Sequence, residues 1–176
     1  MNELVFRPIY RLDRNTSGVL LIAKNIFFCN ILVKQLQRKI LQKVYFSFVE
    51  GYVADRMILD LPIAKKENSK VIHEVSSFGK KSITNCQRCF YLDNIHASFL
   101  SITTQTGRTH QIRVHMSYIG HPMLGDFLYG GSKKYIARQA LHARSLRFFH
   151  PRIDKQMYFF AKMPRDMMEL FHFHKI

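Results

Sequence analysis

The chain has 176 residues, 47% of them hydrophobic and 15 of them Phe, which excludes a disordered basic tail and leaves room for one well-cored domain over 1–176. No apolar stretch approaches the roughly 20 residues that a membrane-crossing helix needs, and the first residues lack the form of a signal peptide. Lys and Arg number 27 against 12 acids, a formal charge of +15 that favours a polyanionic partner through counterion release.

Taken in chain order, "GVLLIAK" (18–24) is a short apolar run after a Thr-Ser-Gly turn and reads as a buried strand. "NIFFCNILVKQLQRKILQ" (25–42) spaces Ile26, Phe27, Ile31, Leu32, Leu36, Ile40 and Leu41 along one helical face, with Asn25 as N-cap. "KVYFSFVEGYV" (43–53) alternates: Val44, Phe46 and Phe48 on one face, Tyr45, Ser47 and Val49 on the other. That period of two predicts a strand, with Gly51 at a bulge or at its end. Residues 62–82 are polar and Lys-rich and predict short strands and loops, and "HASFLSITT" (96–104) predicts another strand. "GRTHQIRVHMSYIG" (107–120) predicts a helix with Thr109 as N-cap and Gly120 as its stop. "HPMLGDFLYGG" reads as loop, and "QMYFFAK" (156–162) as a closing strand. Without a regular βαβ alternation, the pattern predicts an α+β fold around a mixed, mainly antiparallel sheet with flanking helices.

The candidate chemistry begins at Asp13, set between Arg11 and Arg14. Flanking guanidinium groups keep such a carboxylate ionised, fit to act as a nucleophile or to stabilise positive charge on a sugar carbon. By residue type alone, a turn-capping Asp in weak surface pairs fits as well. "TQTGRTHQIRVH" (104–115) gathers Arg108, His110, Arg113 and His115. Arg108, near the start of the predicted helix, could receive a phosphate together with backbone amides, while Arg113 is free to pair with a buried carboxylate. A basic helix with a solvated face is the plainer alternative. Tyr45 sits mid-strand, where a phenol can stack on a base, exchange a proton or simply pack.

Cys86-Gln-Arg-Cys89 is a lone C-x-x-C and the nine His are scattered, so no metal is expected. Three cysteines form no disulfide framework, which fits a reducing cytosol and predicts a cytoplasmic protein. There is no Walker A sequence, no G-x-G-x-x-G and no G-x-S-x-G.

In combination these segments are more specific than any one alone. "RLDRNTSGVLLIAK" resembles the HRLDxxTSG signature of the RluA-type RNA pseudouridine synthases, and "QKVYFSFVEG" resembles their K-x-Y-x-x-x-V-x-G strand. "QTGRTHQIRVHMSYIGHPMLGDFLYG" is similar to their long third motif, and "ALHARSLRFFHP" to the L-H-A-x-x-L-x-F-x-H-P segment after it. Order and spacing agree from residue 7 to about 170.

The resemblance implies an enzyme that breaks the N-glycosidic bond of a uridine in ribosomal or transfer RNA, turns the base and rejoins it through carbon 5. It implies Asp13 as the essential aspartate, which forms a covalent adduct in this family. Tyr45 is implied to lie against the target base, Arg113 to pair with the catalytic carboxylate and Leu141 to pack the active-site floor. Arg11 is implied to help displace the base from its stack, and Arg108 and His110 fall in the substrate-binding third motif. No cofactor or metal is implied, because the reaction is an isomerisation. RNA is the implied partner, no membrane is expected, and small size with high charge predicts a monomer. Tyr10 stands where the family usually has His. The family's upstream strand with D-K-P-x-G has no counterpart in the twelve residues before Asp13, nor does an S4-type domain; that upstream piece is expected to support folding more than chemistry. A competing function is a catalytically silent RNA-binding remnant of the family. A basic ribosome-associated structural protein and an unrelated Asp-based hydrolase are weaker alternatives, the latter because a second carboxylate with a clear role is lacking.

Overall fold

The computed structural model describes residues 5–173. Its framework is a seven-stranded sheet built from β2 (Ser17–Gly18), β4 (Gln42–Glu50), β5 (Arg56–Asp60), β8 (Ile83–Leu92), β9 (Ala97–Thr104), β10 (Leu141–Phe149) and β11 (Gln156–Phe160). The strand order is β11-β10-β4-β9-β8-β5, antiparallel throughout, and β2 adds a short parallel pairing to β10. β1 (Arg7–Pro8) pairs with β3 (Ile22–Ala23), and β6 (Ile63–Lys65) with β7 (His73–Val75). The helices are α1 (Ile26–Gln37), α2 (Gln111–Tyr118) and the single turn α3 (Arg165–Met168). This is an α+β fold with a mainly antiparallel sheet, and among the described residues no helix is long and apolar enough to cross a membrane.

The strand expected over 18–24 is broken in two. Gly18, at φ 119°, pairs with β10; the chain then crosses over to pair Ile22 and Ala23 with β1. A Cβ at position 18 would lie 2.2 Å from the Ala143 carbonyl oxygen, so only glycine permits the approach. The first helix has its expected cap: the Asn25 side chain accepts from the Phe28 amide at 2.9 Å. It stops at Gln37 instead of running to 42, because Lys39 turns left-handed and the Gln35 carbonyl takes the amides of Ile40 and Leu41. The polar 62–82 region contributes β6 and β7, as expected, joined by a turn with Asn68 at positive φ.

The period of two in β4 sorts its side chains between two cores. Tyr45 and Val49 pack with Leu100, Ile102, Ile112 and Met116 beneath α2, whereas Phe48 joins Phe99, Met167 and Leu170 on the other face. A third core under α1 joins Ile9, Ala23 and Leu32 to Leu146 and Phe148. Each fully buried side chain of this size stabilises the fold by about 1.5–3 kcal/mol. Between the first and third of these cores, the ends of β4, β9 and β10 open onto a cavity of about 810 Å³.

Candidate active site

Asp13 lies on that cavity, in the turn between β1 and β2. The Thr16 amide donates to the Asp13 carbonyl at 2.9 Å, and Asn15 takes a left-handed conformation, φ 68°. The turn is held from far along the chain. Arg138 donates to the Asn15 carbonyl at 3.0 Å while gripping Asp166 at the start of α3 with two hydrogen bonds of 2.7 and 2.9 Å. Gln139 donates to the Arg14 carbonyl, and Ser17 hydrogen-bonds the buried His142 ring at 2.9 Å. Asp13 thus has a fixed backbone and a carboxylate whose side chain is 20% exposed, turned toward the cavity.

Arg113, on α2, reaches it from the protein side: Nη1 stands 3.7 Å from Asp13 Oδ2. The fuller partner of Arg113 is Asp126, which accepts from Nε at 2.7 Å and from Nη2 at 2.6 Å and whose side chain is 1% exposed. Burial works against the Arg113 charge, but the hydrogen bonds and charge of Asp126, with Asp13 adding, hold its pKa above the ordinary value. Asp126 owes its place to Gly125, at φ 75°, where a Cβ would lie 2.0 Å from the Arg138 carbonyl oxygen. The guanidinium also sits over the ring of Tyr129, 4.9 Å from its centroid.

Tyr129 ties this group to His110. Its hydroxyl accepts from the His73 amide at 3.0 Å and so has its proton free for His110 Nδ1, 2.8 Å away. Burial lowers the His110 pKa below its usual value, with the nearby Asp13 charge opposing. Tyr45 projects from β4 into the same space, 6% exposed. Burial raises its pKa well above the usual phenol value, and Tyr10 and Asp13 add to the shift. Leu141, 3% exposed, lines the cavity from the start of β10.

Arg11 and Arg108 stand at the rim. Arg11 Nη2 is 3.4 Å from Thr109 Oγ1, and Arg108 Nε donates to the Lys81 carbonyl at 3.1 Å. The anion-binding helix start expected at Arg108 is not formed. α2 begins three residues later, its N-cap position falls on left-handed His110 and not Thr109, and the Arg108 amide is taken by Gln111 Oε1 at 3.1 Å. Arg108 therefore offers a side chain alone. Asp13, Tyr45, Arg113, His110, Leu141, Arg11 and Arg108 nonetheless converge on one cavity or its immediate wall.

Sequence reasoning missed Asp126, Tyr129, Arg138 and Asp166. "GDFLYGG" reads as loop from the sequence; an Asp after a Gly, close to a basic helix, is the signal it offers. Among the described residues no group of three or more His, Cys, Asp or Glu could hold a metal ion. Cys86 packs its sulfur against Met116 at 3.9 Å, and Cys89 points to solvent.

This arrangement presents an anchored carboxylate beside a guanidinium, a neutral phenol and an apolar floor, in a cavity with a basic rim. It can receive a planar base, oppose positive charge on a sugar carbon and hold a phosphate at the edge.

Residues 1–118 match the family model described as RNA pseudouridylate synthase. The chain is 41% identical over 165 residues to "Uncharacterized RNA pseudouridine synthase YjbO" of Bacillus subtilis, covering 92% of this chain and 57% of that protein. It is 38% identical to "Ribosomal large subunit pseudouridine synthase D" of Buchnera aphidicola, with 92% and 56% covered, and 35% identical to the Escherichia coli protein of the same name, with 92% and 53% covered. The chain thus spans a little over half the length of these relatives. Among solved structures, "Human RNA Pseudouridylate Synthase Domain Containing 1" superposes with a TM-score of 0.76 at 28% identity, over 89% of this chain and 69% of that one. With the family model spanning two thirds of the sequence and the fold shared, the chain belongs to the RNA pseudouridylate synthase family.

Proposed function

We propose that this chain isomerises uridine to pseudouridine in RNA, with Asp13 as the acting carboxylate. The observation that carries this reading is the Asp13–Arg113 pair at 3.7 Å on a cavity that also holds Tyr45 and Leu141. Relatives named for the ribosomal large subunit favour ribosomal over transfer RNA as substrate.

The target base must leave its stack, at a cost of a few kcal/mol. Arg11, exposed at the rim, fills the gap or holds a phosphate, and the surrounding positive charge binds the backbone. Leu141 and Tyr45 then bracket the base. Asp13 opposes the positive charge that grows on carbon 1′ as the bond to nitrogen 1 breaks, and closes on that carbon as an ester. The base turns, carbon 5 takes over the bond to carbon 1′, and the carboxylate is released. Carbon 5 loses a proton and nitrogen 1 gains one, so no net proton is consumed. Because the Tyr45 phenol stays protonated, it moves a proton only as a relay, accepting one as its own leaves.

The test uses purified chain and RNA lacking modification, with pseudouridine located by carbodiimide-blocked primer extension. New stops that vanish with Asp13→Ala are the expected result. Unchanged stops in that variant, or none with either protein while salt-sensitive RNA binding persists, would overturn the proposal, the latter in favour of a silent RNA-binding remnant.

A further inference from the structure

Lys43 stands two residues before Tyr45 on β4, hence on the same face of the strand, and lines the same cavity as Asp13. Its ammonium lies 4.7 Å from the centroid of the Tyr10 ring and 5.9 Å from that of Tyr45. Tyr10 is held in place by its hydroxyl, which donates to the Val19 carbonyl at 3.0 Å. Among the described residues no carboxylate comes within ion-pairing distance of Lys43.

The groups around it do not supply that charge. Opposite Lys43, β10 places Leu146, 1% exposed. Lys39, after α1, also lines the cavity and donates to Gln105 at 3.0 Å; Asp13 faces Arg113, and Arg11 is another cation. Tyr10 and Tyr45 are both neutral, burial pushing each phenol up. Burial likewise pulls Lys43 down, to about 8. A half-buried ammonium with no counter-charge costs stability, and a ligand that brings negative charge to the cavity relieves that cost.

We propose that Lys43 is a further catalytic residue, donating hydrogen bonds to the uracil ring while that ring is detached from the ribose. The assignment rests on the uridine reading of the site. When the bond between nitrogen 1 and carbon 1′ breaks, its electron pair leaves with nitrogen 1, and the negative charge spreads to the two ring oxygens. Carbon 1′ meanwhile bonds to an Asp13 oxygen. When carbon 5 displaces that oxygen, it supplies the new bonding pair from the anion, sheds its proton, and nitrogen 1 is protonated. Lys43 begins and ends as an ammonium and acts only on the charge between those steps. An electrostatic donor of this kind, working in a cavity shielded from water, changes rates by about 100-fold or more.

The experiment compares the wild type with Lys43→Met and Lys43→Arg on unmodified ribosomal RNA. It measures single-turnover pseudouridine formation between about pH 6 and 10, RNA affinity by filter binding, and Tm. Lys43→Met is expected to slow the chemistry about 100-fold while leaving affinity within about twofold, and its Tm at neutral pH should equal or exceed that of the wild type. A lysine with a merely structural role would instead lower Tm and leave the chemistry alone. The wild-type rate should fall above about pH 8 and that of Lys43→Arg should hold to higher pH, a readout that still decides the matter should Lys43→Met fail to fold. An active wild type beside an equally fast Lys43→Met, or an unchanged pH limit in Lys43→Arg, overturns this inference alone. A wild type that makes no pseudouridine overturns the uridine reading and takes this assignment with it.

Discussion

Arg113 grips Asp126 with two parallel hydrogen bonds, Nε to Oδ2 at 2.7 Å and Nη2 to Oδ1 at 2.6 Å, and keeps only Nη1 for Asp13. The buried acid holds the arginine, and the arginine orients the acid that faces the cavity. Removing one partner of a buried pair leaves the other charge uncompensated. Asp126→Asn should therefore cost about 3 kcal/mol in urea unfolding and sharply slow pseudouridine formation. Equal stability of variant and wild type would show that the fork does not hold α2 to the 119–126 loop.

Asp13→Ala should behave in the opposite way. Among the described residues its one ion-pair contact is the 3.7 Å approach to Arg113, so its loss should change stability by no more than about 1 kcal/mol while abolishing product. Thermal unfolding and primer extension on the same preparation check both halves.

Acid should destabilise the protein from a definite starting point. His115 is fully buried, with Nδ1 2.9 Å from Thr84 Oγ1 and Nε2 2.9 Å from the Leu61 carbonyl; His142, 1% exposed, lies between Ser17 and the Ala161 carbonyl. Burial lowers both pKa values from 6.5, so below that pH the unfolded chain binds protons that the folded chain refuses. Stability is then present above about pH 6.5 and lost as pH falls toward the folded values. Tm measured from about pH 8 to pH 5 should drop through this window, and His142→Gln should flatten the drop. A level Tm would show that neither ring is held neutral.

Gly18→Ala would place a methyl 2.2 Å from the Ala143 carbonyl oxygen at a backbone φ of 119°. A cost of about 2 kcal/mol or more is expected, with activity lost in proportion, because the β2–β10 pairing carries the Asp13 turn. Comparable Tm and turnover in the variant would mean that this pairing is dispensable.

Local pattern revealed what local forces decide. The alternation of Val44 through Val49 and the Asn25 cap were both legible, since each depends on neighbours in sequence. β8 and β10 carry no strand signal in the sequence. β8 turns Thr84 and Cys86 inward and slips register between Arg88 and Phe90, while β10 buries His142 and bulges between Ala143 and Ser145, so neither shows clean alternation. Asp13, Tyr45, Arg113 and Leu141 were legible as candidates through the motifs that carry them, and the fold brings them together at one cavity. Asp126 and Lys43 lie inside those same motifs, yet neither role was readable there, because a buried Asp needs its arginine in view and a lysine's lack of a counter-charge shows only in three dimensions.

The fixtures of the Asp13 turn also set an order in time. Ser17, Arg14 and Asn15 bond to His142, Gln139 and Arg138, partners 123 to 125 positions later in the chain. During synthesis Asp13 is made well before the residues that fix its turn. Contacts closed over such spans form late in folding. The Asp13 carboxylate is therefore aimed only once the sheet has closed around β10.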